Sequence, residues 1–312
     1  MGTTWSVVVP EPPDGVDARR LQQVVDEVFR DVNATLSTYD PSSELSRFNQ
    51  SESTAPVAAS PMLCEVIAIA ADVGAATDGA FDVTVGPLVG LWGFGSAGDA
   101  AGARAPDAAT LAGARAQVGQ DKLVVDRAAG TLRKTVPELA VDVDGIAPGF
   151  AVDLVARRFE DLGVQRYLIE LGGELRGRGV SPDRRPWRVA IEAPLGGERQ
   201  PYTLVALDGQ GLSTSGDYRD SRIVEGRRVS HTIDPRTGTP VGHRLASVTV
   251  VHRTAALADA YATAFMVLGP QDGFELAARL RIPALFILRG EDGQAFTERA
   301  TDSFQLLRRP LD

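Results

Sequence analysis

The pattern that most limits the fold is an irregular exchange of helical and strand spacing along the chain. Residues 5–9 (WSVVV) form an apolar run of strand length. Apolar residues then recur at helical spacing over 17–36, on Leu21, Val25, Val28, Val32 and Leu36. The spacing predicts a second amphipathic helix over 61–76 and short strands near 122–126 and 132–136. A helix from about 149 to 162 sets Val152, Val155, Phe159 and Leu162 on one face, and Gly163 supplies its stop. Strands are expected at 166–171, 187–192, 202–207, 245–251 and 284–288, with helices at 255–268 and 271–281. Regular βαβ alternation is missing, which favours an α+β fold over a doubly wound parallel sheet. Without a composition break to mark a linker, one domain over 1–312 is expected, with a surface insertion rich in Ala, Gly and Asp at about 95–120.

Charge narrows the function classes. The formal net charge is −9, which argues against a broad nucleic-acid surface. The single cysteine, Cys64, falls in an apolar helical pattern and reads as a buried, inert thiol. No apolar run reaches the 18 residues a membrane span needs. The first residues, MGTTWSVVVP, lack the basic and apolar regions of a signal peptide. A cytoplasmic location is expected for the chain as written, and an exported one if a leader has been removed.

Several segments are too polar or too glycine-rich for the core pattern around them. In VDVDGIAPGFAVD (141–153), a strand is expected to end at Asp142 and Asp144, Gly145 to turn the chain, and a helix to start near Pro148 or Gly149. Such a turn presents backbone N–H groups and the positive end of a helix dipole, both suited to a phosphate that carries a cation. The plainer reading is a solvated Asp turn that caps a helix. In ADAYATA (258–264), Asp259 and Thr263 are four residues apart and share a helix face. A carboxylate and a hydroxyl are hard oxygen ligands that suit Mg2+ better than Zn2+; the alternative is a buried Asp satisfied by a neighbouring turn. SHTIDPRTG holds His231, which is either a general base toward a hydroxyl or a structural residue beside an Asp-Pro turn. His243 and His252 fall in or beside a strand and receive no role. LGGELRGRG lacks Walker A spacing and reads as a tight turn, and no G-x-S-x-G elbow supports a hydrolase triad.

Taken in order, STYDPSSELSRFN, GAFDVTVGPL, DVDGIAPGFAVD, LIELGGELRGRG, STSGDYR, SHTIDPRTGTPV and ADAYATAFMVLG, together with MGTTW at the start, closely resemble the ApbE family of FAD:protein FMN transferases. The resemblance implies an α+β fold built on duplicated tunnelling-fold-like units. It implies transfer of the FMN half of FAD to a Ser or Thr hydroxyl of an acceptor flavoprotein, through a phosphoester bond, with release of AMP and dependence on Mg2+. By the same resemblance, FAD contacts fall on Met1, Tyr39, Ala80, Phe81, Asp82, Asp142, Pro148 and Ile233. Mg2+ would be held by the Gly145 carbonyl, Asp259 and Thr263 with phosphate oxygens of FAD, and His231 matches the family's catalytic histidine. Many members carry Lys or Glu where this chain has Pro148, and many are exported lipoproteins with a leader and a lipid-bearing Cys that this sequence does not show. Two alternatives share the site: an Mg2+-dependent FAD diphosphatase giving FMN and AMP, and a flavin-binding protein without turnover.

Overall fold

Seven antiparallel strands make the main sheet, and their order in space follows their order in the chain: Trp5–Val8, Tyr167–Leu171, Glu174–Arg178, Gln210–Gly216, Leu245–His252, Ala284–Arg289 and Phe296–Ala300. The structure, a computed structural model, describes residues 2–95, 105–195, 199–217, 221–224, 227–290 and 295–311. Met1 and residues 96–104 of the expected insertion lie outside the described residues. The fold is α+β, and the chain forms two compact units: Met1–Asp31 with Ile146–Arg219 and Arg244–Asp312, and Val32–Gly145 with Asp220–His243. No helix among the described residues is long and apolar enough to cross a membrane.

The first unit holds the main sheet. Side chains alternate between faces along a strand. In Leu245–His252, Val248 and Val250 pack with Ala258, Ala262 and Phe265 of the helix Ala255–Arg279. Val251 points the other way, into a core with Leu212, Leu285, Trp187, Val205 and Leu207. Trp187, Val205 and Leu207 belong to a second, three-stranded sheet of Trp187–Glu192, Pro201–Leu207 and Arg308–Arg309. The helix Ala255–Arg279 is broken at Gly269 and Pro270, where the sequence predicts one helix to end and another to begin. Gly172 and Gly173, both at positive φ (68° and 121°), make the tight hairpin turn between the second and third strands.

The start of the Ala255–Arg279 helix is where the unit packs most closely. A Cβ on Gly149 would lie 2.4 Å from the Ala255 carbonyl oxygen, and one on Gly211 would lie 2.3 Å from the Ala255 nitrogen. Backbone therefore meets backbone on both sides, which only glycine permits. Close approach lets Asp153, 2% exposed, reach the helix end. Its carboxylate accepts the N–H groups of Ala255 (3.0 Å) and Ala256 (2.9 Å), and Arg176 Nη1 at 2.6 Å. Asp153→Ala strands a largely buried guanidinium and two helix N–H groups. The expected loss is about 3–5 kcal/mol, the range for removing one partner of a buried pair. Urea unfolding followed by tryptophan fluorescence reads it, and an unchanged midpoint would refute the role.

The second unit carries the helices Glu44–Gln50 and Pro61–Ala76 and a three-stranded sheet with Thr131–Lys134 between Val57–Ala58 and Leu123–Asp126. Cys64 is buried in Pro61–Ala76, and burial pushes its thiol pKa up. A ten-residue helix, Ala108–Gln117, occupies part of the expected surface insertion and buries no residue. The strand expected to end at Asp142 and Asp144 does not form. The Val141 N–H and carbonyl are both taken by the side chain of Asn49, each at 2.8 Å, and the Asp142 N–H goes to the Val83 carbonyl at 2.7 Å. Those bonds occupy the groups a strand partner would use.

Candidate active site

In the first unit, two elements bring oxygen atoms together. Gln210–Gly216 (QGLSTSG) directs Ser213 and Ser215 to the face covered by the helix Ala255–Arg279, with Leu212 and Thr214 on the other. On that helix Asp259 and Thr263 are one turn apart. Ser213 Oγ lies 3.4 Å from Asp259 Oδ1, and Ser215 Oγ lies 3.3 Å from Thr263 Oγ1. The Gly149 N–H donates to Asp259 Oδ2 at 3.1 Å, and Asp259 is 5% exposed. On the neighbouring strand, Glu174 Oε1 is 3.2 Å from Ser213 Oγ. Burial pushes the Glu174 carboxyl up to about 7. Pro148 sits in the first turn of the helix Ala147–Asp161, half-buried.

The donor set fits Mg2+. Among the described residues no group of three or more His, Cys, Asp or Glu side chains forms a cage for a metal ion. Mg2+ does not require one, since it is commonly held by one or two carboxylates with substrate phosphates and water. One carboxylate, Asp259, flanked by the hydroxyl of Thr263 is that kind of partial shell.

The second unit contributes a cavity of about 280 Å³ with apolar walls from Val89, Phe94 and Ala140 and polar groups from Thr38, Asn49 and Asp142. Thr38 Oγ1 is buried there with no hydrogen-bond partner among the described residues, the kind of group a ligand satisfies. Asp142 is raised by burial; burial and then the Asp142 charge push Asp144 up to about 7, although Asp144 keeps solvent access that screens the effect. Phe94 meets the His231 ring edge-on at 6.5 Å and 70°. Ile233, 5% exposed, packs in the same apolar cluster as Phe94 and Leu88. Asp234 is occupied by Arg236, at 2.9 Å to Nε and 2.9 Å to Nη2.

The remaining expected contacts differ in what they offer. Tyr39 is 66% exposed, so its ring is accessible to a flat ligand. Ala80 and Phe81 are buried, 1% and 4% exposed, so Phe81 presents little ring surface, and its N–H and carbonyl are already engaged by Thr77 Oγ1 and Gln120 Nε2. The Asp82 carboxylate accepts the N–H and hydroxyl of Thr84, at 2.8 and 2.7 Å, and so shapes the turn that follows it. Gly145 lies in the turn after Asp142 and Asp144, half-buried. Asp142, His231 and Ile233 are thus gathered around Phe94 and its cavity, and Asp259 and Thr263 around the two serines. Sequence reasoning did not single out Ser213, Ser215, Glu174, Phe94 or Thr38. The one local signal was the alternation Ser-Thr-Ser, which puts two hydroxyls on one face of any strand.

Comparison with known proteins bears on what this arrangement serves. The ApbE family profile matches residues 1–286. A Vibrio cholerae protein named FAD:protein FMN transferase is 41% identical over 305 residues, covering 98% of this chain and 90% of that protein. A Salmonella typhimurium protein of the same name is 42% identical over 298 residues, covering 94% and 83%. Among solved structures, the apo form of the Pseudomonas stutzeri flavinyl transferase ApbE superposes with a TM-score of 0.89 at 42% identity, covering 98% of this chain and 94% of that one. The flavin transferase ApbE of Vibrio cholerae superposes with a TM-score of 0.88 at 40% identity, covering 98% and 96%. With this match along almost its whole length, the chain belongs to the ApbE family.

Proposed function

We propose that this protein is an FAD:protein FMN transferase that moves FMN from FAD onto a Ser or Thr hydroxyl of an acceptor flavoprotein and releases AMP, with Mg2+ required. The observation that carries the proposal is the joint one: relatives of that name align along nearly the whole chain, and Asp259 and Thr263 stand together as hard oxygen donors on one helix face. Asp259 and Thr263, one turn apart on the helix Ala255–Arg279, would hold the ion. When bound, Mg2+ neutralises charge on the diphosphate of FAD. Tyr39 offers an exposed aromatic face to a flavin or adenine ring. Asp142, with Thr38, orients a polar edge of the substrate in the cavity beside Phe94. His231 takes the proton of the acceptor hydroxyl as its oxygen bonds to the phosphorus on the FMN side and the bond to the AMP phosphate breaks.

Mass spectrometry after incubation with FAD, Mg2+ and a candidate acceptor domain tests this directly. The expected product is acceptor carrying one added FMN, with AMP in equal amount. Free FMN without modified acceptor, at the same rate with and without acceptor, would instead identify a diphosphatase. Intact FAD in the presence of Mg2+ would leave a flavin-binding protein.

A further inference from the structure

We infer that Glu174, acting through Ser213, is a positioning residue for Asp259: it holds its proton, donates it to Ser213 Oγ, and so directs the Ser213 hydroxyl proton onto Asp259 Oδ1. The inference rests on the proposal that Asp259 is a ligand of the divalent cation. Its starting point is a count of protons. Ser213 Oγ is 3.2 Å from Glu174 Oε1 and 3.4 Å from Asp259 Oδ1. A serine hydroxyl has one hydrogen and two lone pairs, and an ionised carboxylate only accepts. With both acids ionised, one of the two contacts sets oxygen lone pairs against each other with no proton between them. With Glu174 neutral both contacts become hydrogen bonds, running Glu174 O–H to Ser213 Oγ and Ser213 O–H to Asp259 Oδ1. Asp259 stays ionised, as a cation ligand must.

Strand register makes the chain of bonds possible. Leu175 pairs with Leu212 in an antiparallel ladder, which sets Glu174 across from Ser213 on the same face. On that face the next pair along is Arg176 with Gly211, and there Arg176 is engaged by Asp153. The nearest cation on the face is therefore committed elsewhere, and no salt bridge neutralises Glu174 among the described residues. Glu170, four residues back across the hairpin, adds a like charge that disfavours ionisation of Glu174 further, after burial itself. The Gly149 N–H anchors Asp259 Oδ2, so Ser213 and Gly149 together fix both oxygens and the plane of the carboxylate. Partners that orient a metal ligand commonly change metal affinity by about 10–100-fold when removed.

The experiment uses the full chain and Mn2+ as the probe, titrated by electron paramagnetic resonance in wild type, Glu174→Gln, Glu174→Ala, Ser213→Ala and Asp259→Asn. Gln is uncharged and donates an N–H where the neutral acid donates its O–H, so Glu174→Gln should bind Mn2+ as wild type does. Glu174→Ala and Ser213→Ala should weaken binding about 10-fold, with the loss of transfer in the KM for the metal and kcat little changed. The infrared difference spectrum of wild type minus Glu174→Gln in mildly acidic buffer should contain a protonated-carboxyl band, since bands from Asp142 and Asp144 are common to both proteins and cancel. A Glu174→Gln variant as weak as Glu174→Ala, wild-type affinity in Ser213→Ala, or no protonated-carboxyl band in that difference spectrum would overturn the inference. Wild-type Mn2+ affinity in Asp259→Asn would overturn the metal assignment itself, and the infrared result would still decide the state of Glu174.

Discussion

Asp259→Asn is expected to cut FMN transfer about 10³-fold while the protein remains folded. A divalent ion contributes several kcal/mol to charge stabilisation at a transferring phosphoryl group, and about 4 kcal/mol corresponds to 10³ in rate. Asn keeps the volume of Asp259 and one acceptor oxygen but loses the charge that binds the cation. One of the two donors on Asp259, Ser213 or the Gly149 N–H, is then poorly matched, at a cost of about 1–3 kcal/mol in stability. Folding is checked by thermal unfolding and transfer by the mass of the acceptor. Transfer at the wild-type rate would remove Asp259 from the metal site.

His231→Ala should leave FAD binding intact and slow transfer about 10²–10⁴-fold, the range for losing a positioned general base. The histidine ring is held edge-on against Phe94, so its removal also leaves a gap beside the cavity. Added imidazole separates the two effects. A small base that restores part of the rate marks a lost proton acceptor, and a rate that imidazole leaves unmoved marks a lost packing element. Binding is read from quenching of flavin fluorescence in the presence of the variant. Unchanged transfer would dismiss the catalytic role.

Much of the fold was legible because the signals were local. The helix expected over 61–76 is Pro61–Ala76, with Ser60 capping it by accepting the Leu63 N–H at 3.2 Å. The glycine pair read as a turn is the hairpin between Tyr167–Leu171 and Glu174–Arg178. Two segments show where local signals failed. Gln210–Gly216 contains two glycines and two serines, poor strand formers on their own, yet it pairs on both edges within the main sheet. Tertiary context overrides propensity there, because ladder pairing over 211–216 on one side and 210–212 on the other takes up its backbone groups whatever its side chains. The segment around Asp142 went the other way: its apolar alternation resembled a strand, and Asn49, 92 residues distant, claimed its backbone instead.

The sequence by itself determined the residue pair that shares a helix face at 259 and 263, the helix break at Gly269 and Pro270, and the family, because spacing, turn chemistry and motif order are properties of neighbouring positions. Only the tertiary structure decided what stands against that face. Ser213 meets Asp259 across 46 positions, Ser213 meets Glu174 across 39, and Asp153 reaches Ala256 across 103. Such contacts are set by strand register and by backbone approach at Gly149 and Gly211, which no window along the chain contains. Register is a collective outcome of burying one face of the whole sheet, so a residue's partner across it is fixed only when the sheet is complete.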